Sequence, residues 1–161
     1  MAHQKAEVSA DPARALFGAA LELLTRREYS RLELRQKLAA KFPSADFDTL
    51  FARLQELNYQ SDQRFAEMFA RSRVQRGQGP IRIRQELQQR GVSRELIAGA
   101  LDQLKADWFT LAAERLHRKY RAPIGDKLPR DQRMKERARR QRYLAYRGFP
   151  ADAIGWALDG D

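Results

Sequence analysis

No cysteine occurs in the 161 residues, so the chain has no disulfide framework, no thiolate-held zinc or iron–sulfur cluster, and no thiol nucleophile. Histidine is nearly as scarce. His3 lies in a polar N-terminal stretch, and His117 falls on a predicted helix without a second ligand at metal-binding spacing. No apolar run approaches the roughly 18 residues a membrane span requires, and the stretch Met1 to Asp11 lacks the apolar segment of a secretory signal. The expectation is a soluble protein of the reducing cytoplasm that does not engage membrane. Alternating apolar and polar residues are almost missing too, which argues against strands. Gly77-Gln78-Gly79 is no nucleotide-binding fingerprint: it sits between predicted helices, lacks the Lys-Ser/Thr of a P-loop, and reads as a flexible interhelical turn. Asp46 and Asp48 stand at a predicted helix start, where carboxylates serve as caps and dipole partners. With no catalytic constellation in view, the expectation is a binding protein without cofactor or metal and not an enzyme.

What the chain has in excess is positive charge, 31 Lys+Arg against 21 Asp+Glu, a formal net of +10. The excess is uneven: residues 1–60 carry +1, residues 61–106 carry +4 and residues 107–161 carry +5. Seven arginines lie between Arg71 and Arg94 against one acid, Glu86, and eight basic residues lie between Arg130 and Arg147 against Asp131 and Glu136. Arginine outnumbers lysine in both runs, and its planar fork suits phosphate or carboxylate. These runs read as a surface for a polyanion or an acidic partner.

Helical periodicity runs through nearly the whole chain, so the fold class is all-α. Leu16, Ala19, Ala20, Leu23 and Leu24 share one side of a first helix; Ser30-Arg31-Leu32-Glu33 is a capping box opening a second, with Leu34 and Leu38 inward. A third carries Phe47, Leu50, Phe51, Leu54 and Leu57. The pattern then recurs. A helix from Asp62 to Arg76 turns Phe65, Met68, Phe69 and Ser72 inward, Pro80 opens the next with Ile83 and Leu87, and Gly91 and Ser93 separate it from one carrying Leu96, Ile97, Ala100, Leu101 and Leu104. A third copy starts at Asp107 with Trp108, Leu111, Ala112 and Leu116. The loop 122–130 interrupts it before a very basic helix from Asp131 to Arg147.

The ends of the middle helices align without gaps: Leu38 to Ser44, Leu87 to Ser93 and Leu144 to Pro150 share an apolar residue, a cation three later, a breaker, and a capping or helix-starting residue. Phe47, Leu96 and Ala153 then correspond, as do Phe51, Ala100 and Ala157. Three tandem three-helix repeats follow, at 15–60, 61–106 and 107–161, after a disordered tail at 1–14. Units this small bury little alone and are expected to stack into an elongated, curved molecule.

In the last basic helix, Lys135, Arg139, Arg142 and Tyr146 stand at i, i+4, i+7 and i+11, a cationic stripe ending in an aromatic, with Arg133, Arg137 and Arg140 beside it. Such a stripe neutralises backbone phosphates without regard to sequence. Tyr146 has two readings, a ring stacked on a base or sugar and a half-buried amphipathic side chain. In the second copy Arg71, Arg73, Arg76, Arg82, Arg84 and Arg90 bracket the Gly77–Pro80 turn, giving a helix-turn-helix with a basic rim. Lys41, Arg90 and Arg147 occupy one repeat position, where each can serve the carbonyls of its own helix end.

Residues 19–41 and 58–92 resemble the RecX family of bacterial regulatory proteins, and the likeness extends over about residues 15–158. It is densest at Asp62, Arg64, Phe65, Ala66, Arg73, Gly77, Gly79, Pro80, Leu87 and Gly91. Gln60 departs from the pattern, since the family commonly has an aliphatic residue there. The resemblance implies a non-enzymatic modulator of the RecA recombinase, lying in the groove of the RecA–single-stranded-DNA filament. It would restrain ATP turnover, strand exchange and the cleavage of the SOS repressor, and so act in recombination and repair. Partners would be RecA and single- and double-stranded DNA, bound mostly without sequence preference by a monomer, through Arg71, Arg73, Arg76, Arg82, Arg84, Lys135, Arg139 and Arg142. The competing readings are an autonomous DNA-binding transcription regulator using the helix after Pro80, and an RNA-binding scaffold.

Overall fold

The computed structural model describes residues 11–161, and among these the chain is helical with no strand. The helices are α1 (Pro12–Arg26), α2 (Arg31–Ala39), α3 (Phe47–Glu56), α4 (Asp62–Gln75), α5 (Pro80–Gln89), α6 (Arg94–Gln103), α7 (Trp108–Lys119), α8 (Arg130–Tyr146) and α9 (Ala151–Asp159). The tail expected at 1–14, with His3, lies mostly outside the described residues; its last three residues belong to α1, because Asp11 caps the helix by accepting from Ala13 N at 3.1 Å and Pro12 fills the first position.

The other starts are set by equally local chemistry. Ser30 Oγ accepts from Glu33 N at 3.1 Å while Glu33 Oε1 accepts from Ser30 N at 3.2 Å, completing the expected capping box. Ser93 caps α6 through Leu96 N, and Asp107 caps α7 through Phe109 N and Thr110 N. In α3 the cap is Asp46, which accepts from Thr49 N at 3.1 Å, and not Ser44. The loop before α3 is therefore two residues longer than the gapless alignment allows. Leu50, Ile97 and Ile154 are buried, each four residues beyond its cap, and Phe51, Ala100 and Ala157 of the gapless register are buried as well. The hydroxyls of Thr49 and Thr110 hold the Asp46 and Asp107 carboxyls below the usual aspartate range, and backbone N–H donation adds to this. Depressed values make both caps fully effective above that range, and their contribution is lost as pH falls through the folded-state values.

The chain divides into two compact units, one ending at Phe65 and the other covering Ala66–Asp161. In the first, α1 packs on α2 and α3 around Leu16, Ala20, Leu34, Leu38, Leu50 and Leu54. Leu57 is exposed where α3 ends, not part of the inward face. Gln60, the residue that departs from the family pattern, is buried and satisfied: its Nε2 donates to Tyr29 O at 3.2 Å and to Asp62 Oδ1 at 3.0 Å, while Asp62 accepts from Arg31 N at 2.8 Å. Arg64 pins the same loop, donating to Glu28 Oε1 at 2.6 Å and to the carbonyls of Asn58 and Tyr59. An amide thus replaces aliphatic packing with a hydrogen-bonded bridge.

The second unit has α7 packed along α9, and both against α8, over Ala112, Leu116, Leu144, Phe149 and Ile154. Its α5 packs on α6, with Ile83, Leu87, Ile97 and Ala100 buried. In α4 the buried residues are Phe65, Ala66, Phe69 and Ala70, whereas Met68 and Ser72 are only half-buried. Helices α5 and α8 end in glycines with positive φ, Gly91 at 77° and Gly148 at 96°; Asn58 and Lys105 hold the equivalent conformation after α3 and α6.

The Gln60 bridge sets a measurable expectation. Gln60→Ala removes the donor that Tyr29 O receives inside the protein, and should lower stability by about 1–3 kcal/mol, read as a shift in urea midpoint. An unchanged midpoint would show that the bridge contributes nothing.

Candidate nucleic-acid interface

Both basic runs lie in the second unit, and its packing divides their arginines into two groups. Glu86 on α5 collects two of them: Arg73 Nε lies 3.0 Å from Glu86 Oε2, and Arg82 Nε lies 3.4 Å from Glu86 Oε1. The guanidinium carbons of Arg73 and Arg90 stand 4.4 and 4.6 Å from the Phe69 ring centroid. Arg73 and Arg82 are thus half-buried parts of the packing, while Arg71, Arg76 and Arg84 are exposed. On α8, Lys135, Arg139 and Arg142 are all exposed, with Arg139 3.9 Å from Glu136. Arg140 is not part of this stripe: its side chain is 7% exposed and pairs at 2.7 Å with the Asp161 carboxylate, itself 2% exposed. It also donates to Ala122 O at 3.0 Å, tying down the start of the 122–130 loop. Arg137 pairs with Asp159 at 2.8 Å.

The turn read as flexible is a rigid junction. Gln78, Gly79 and Pro80 are buried, Gly79 N donates to Arg147 O at 2.8 Å, and Ile81 N donates to Gly148 O at 3.0 Å. The end of α8 therefore sits against the start of α5, main chain to main chain. A Cβ on Gly79 would lie 2.4 Å from Gly148 O, and one on Gly148 would lie 2.4 Å from Arg82 Cβ. Arg90 serves its own helix end as expected, donating to Glu86 O at 3.0 Å. Arg147 does not: its guanidinium reaches the carbonyls of Arg76 and Gly77 at the end of α4. Arg115, which the sequence reading passed over, packs against Gly77 and donates to Tyr143 Oη at 2.8 Å. Burial depresses the Arg147 guanidinium's proton affinity first and the charge of Arg115 second; Tyr143 acts in the opposite sense and Arg82 adds to the repulsion. Arg82, Arg115 and Arg147 make this corner a concentration of like charge.

Tyr146 closes the stripe at 73% exposure, so the half-buried reading does not hold. The Arg82 guanidinium carbon lies 5.1 Å from its ring centroid. His117 is exposed on α7, and no group of three His, Asp or Glu among the described residues is placed to hold a metal. An apolar groove of about 670 Å³ in the first unit is lined by Leu16, Phe17, Phe42, Pro43, Leu50 and Arg53, among others. Among the described residues, no helix is long and apolar enough to cross a membrane.

The glycine junction and an ordinary helical glycine should respond in opposite directions to the same substitution. Gly79→Ala forces the α5 start away from α8 and should cost about 1–3 kcal/mol. Gly99→Ala, in α6 with open space around its Cβ, should gain about 0.5–1 kcal/mol. Parallel thermal melts check this, and equal shifts of one sign would contradict the junction.

Comparison with known proteins agrees with this architecture. Residues 17–54 match the first three-helix domain of RecX and residues 61–101 the second. Regulatory protein RecX of Chromohalobacter salexigens is 44% identical over 140 residues, 86% of this chain and 88% of its own length. Its counterpart in Legionella pneumophila is 42% identical over 139 residues, 86% of this chain and 89% of its own length. The crystal structure of RecX from Lactobacillus salivarius shares the fold, with a TM-score of 0.73 at 24% identity over 94% of this chain and 99% of that one. This all-α chain of three-helix units is a member of the RecX family of regulatory proteins.

Proposed function

We propose that the chain is a negative modulator of RecA, binding the RecA–single-stranded-DNA filament through its basic helical surface and lowering the filament's ATPase, strand-exchange and SOS coprotease activities. Family membership supports the regulatory role. The observation that carries the binding mode is the exposed set Arg71, Arg76, Arg84, Lys135, Arg139 and Arg142, which lies in one unit beside arginines held by packing. Arg73 and Arg82 support this surface from behind, through Glu86. Cations of this kind follow phosphates without reading bases, which suits a partner whose DNA has any sequence. The protein would work as a cytoplasmic monomer, with no cofactor of its own.

A second reading has one observation behind it. Helix α5 exposes Arg84, Gln85, Gln88 and Gln89, side chains of the type that read base edges. An autonomous regulator built on that face must show a sequence preference that survives moderate salt.

Two measurements follow. If six cations engage phosphate, the logarithm of single-strand affinity should fall with the logarithm of salt at a slope of about −4. Replacing Lys135, Arg139 and Arg142 with Gln should reduce that slope by about 2 without loss of helicity, and an unchanged slope removes the stripe from the mechanism. For the filament, ATP hydrolysis by RecA on single-stranded DNA should be inhibited at ratios well below one chain per RecA. Inhibition only at DNA-coating amounts, abolished by salt, would replace filament modulation with competition for DNA.

A further inference from the structure

We infer that Tyr146 is a stacking platform for an unpaired nucleobase, placed at the end of the α8 stripe and braced by Arg82, so that it discriminates single strands from duplex. This rests on the proposal above that the stripe binds DNA. Tyr146 lies four residues after Arg142, seven after Arg139 and eleven after Lys135, on one helical face. At 1.5 Å per residue the stripe spans about 16 Å, several phosphate spacings of a strand. A backbone following it brings a base to the ring.

The ring is held ready. Arg82 stands over it with its guanidinium carbon 5.1 Å from the centroid, and is itself fixed at both ends: its head lies 3.4 Å from Glu86, and its stem abuts the site where Gly148 lacks a Cβ. Bracing of this kind leaves little conformational freedom to be lost on binding. Yet the residue is 73% exposed, so burial inside the protein does not account for the position of this aromatic. Phosphate-following cations bind single strands and duplexes by the same charge neutralisation and do not favour the single strand, whose charge density is the lower of the two. An aromatic face does: bases in a duplex are already stacked and paired, whereas an unpaired base has a free face worth stacking. The cations give affinity; Tyr146 adds a preference for single strands.

The test uses the full chain, a fluorescein-labelled 30-nucleotide single strand and a hairpin duplex of equal length, each at two salt concentrations. Tyr146→Ala should weaken single-strand binding about fivefold to a hundredfold, the value of one stacked base. Duplex affinity should stay within about twofold and the salt slope should not change, because no phosphate contact is lost. Tyr146→Phe, which keeps the ring, should bind single strands nearly as the unmodified chain does. Single-strand affinity unchanged in Tyr146→Ala, or weakened equally on both DNAs, overturns the inference while leaving the cationic surface intact. An unmodified chain that binds neither DNA overturns both.

Discussion

Three helix ends meet at residues 147 and 148, and the arrangement of the second unit depends on how their unpaired backbone groups are shared. Helix α5 begins with Gly79, which has no side chain to cap it, and Pro80, which has no N–H; the donors left over are those of Gly79 and Ile81. Both are taken by the last carbonyls of α8, which puts the negative end of one helix dipole on the positive end of another. The Arg147 guanidinium turns the other way and takes the terminal carbonyls of α4. Arg147 thus closes α8 with its backbone N–H, caps the start of α5 with its carbonyl and finishes α4 with its side chain. The approach is so close that two glycines are required, one on each side of the contact.

This use of the main chain decides what the arginines are for. A basic composition suggests a uniformly adhesive surface, but Arg64, Arg73, Arg82, Arg140 and Arg147 are each committed to an acid or a carbonyl inside the fold. Breaking the buried Arg140–Asp161 pair leaves an unpaired charge and costs several kcal/mol, so variants there report on folding before they report on binding. The exposed cations singled out for a partner lie on α4, α5 and α8. Neutralising them tests binding, since their removal strands no buried partner.

What could be read from the chain alone follows the range of the interaction concerned. The Ser30–Glu33 capping box, the Ser93 and Asp107 caps and the buried Leu34, Leu87 and Leu116 are local in sequence, set by spacings of three and four residues, and are legible. At α3 the sequence offers two caps, Ser44 by the repeat alignment and Asp46 by its place at the helix start, and the structure uses Asp46. The Gly77–Pro80 segment looked flexible because its partner carbonyls lie near residue 148, far along the chain. For Arg140 a signal was present: it stands four residues before the buried Leu144, on the inward side of α8, and period alone separates it from Arg139. Tyr146 sits one turn from Arg142 on the outward side, and the same reasoning would have placed it in solvent.

The crowding of Arg82, Arg115 and Arg147 is a consequence of this junction. Burial and the neighbouring positive charges disfavour the charged form of Arg147, and at neutral pH the guanidinium stays charged, so the folded state carries that repulsion. Hydrogen bonds from Arg147 to the carbonyls of Arg76 and Gly77, and from Arg115 to Tyr143 Oη, offset it. Where the main chains of α5 and α8 meet with no side chain between them, these guanidinium groups complete the contact.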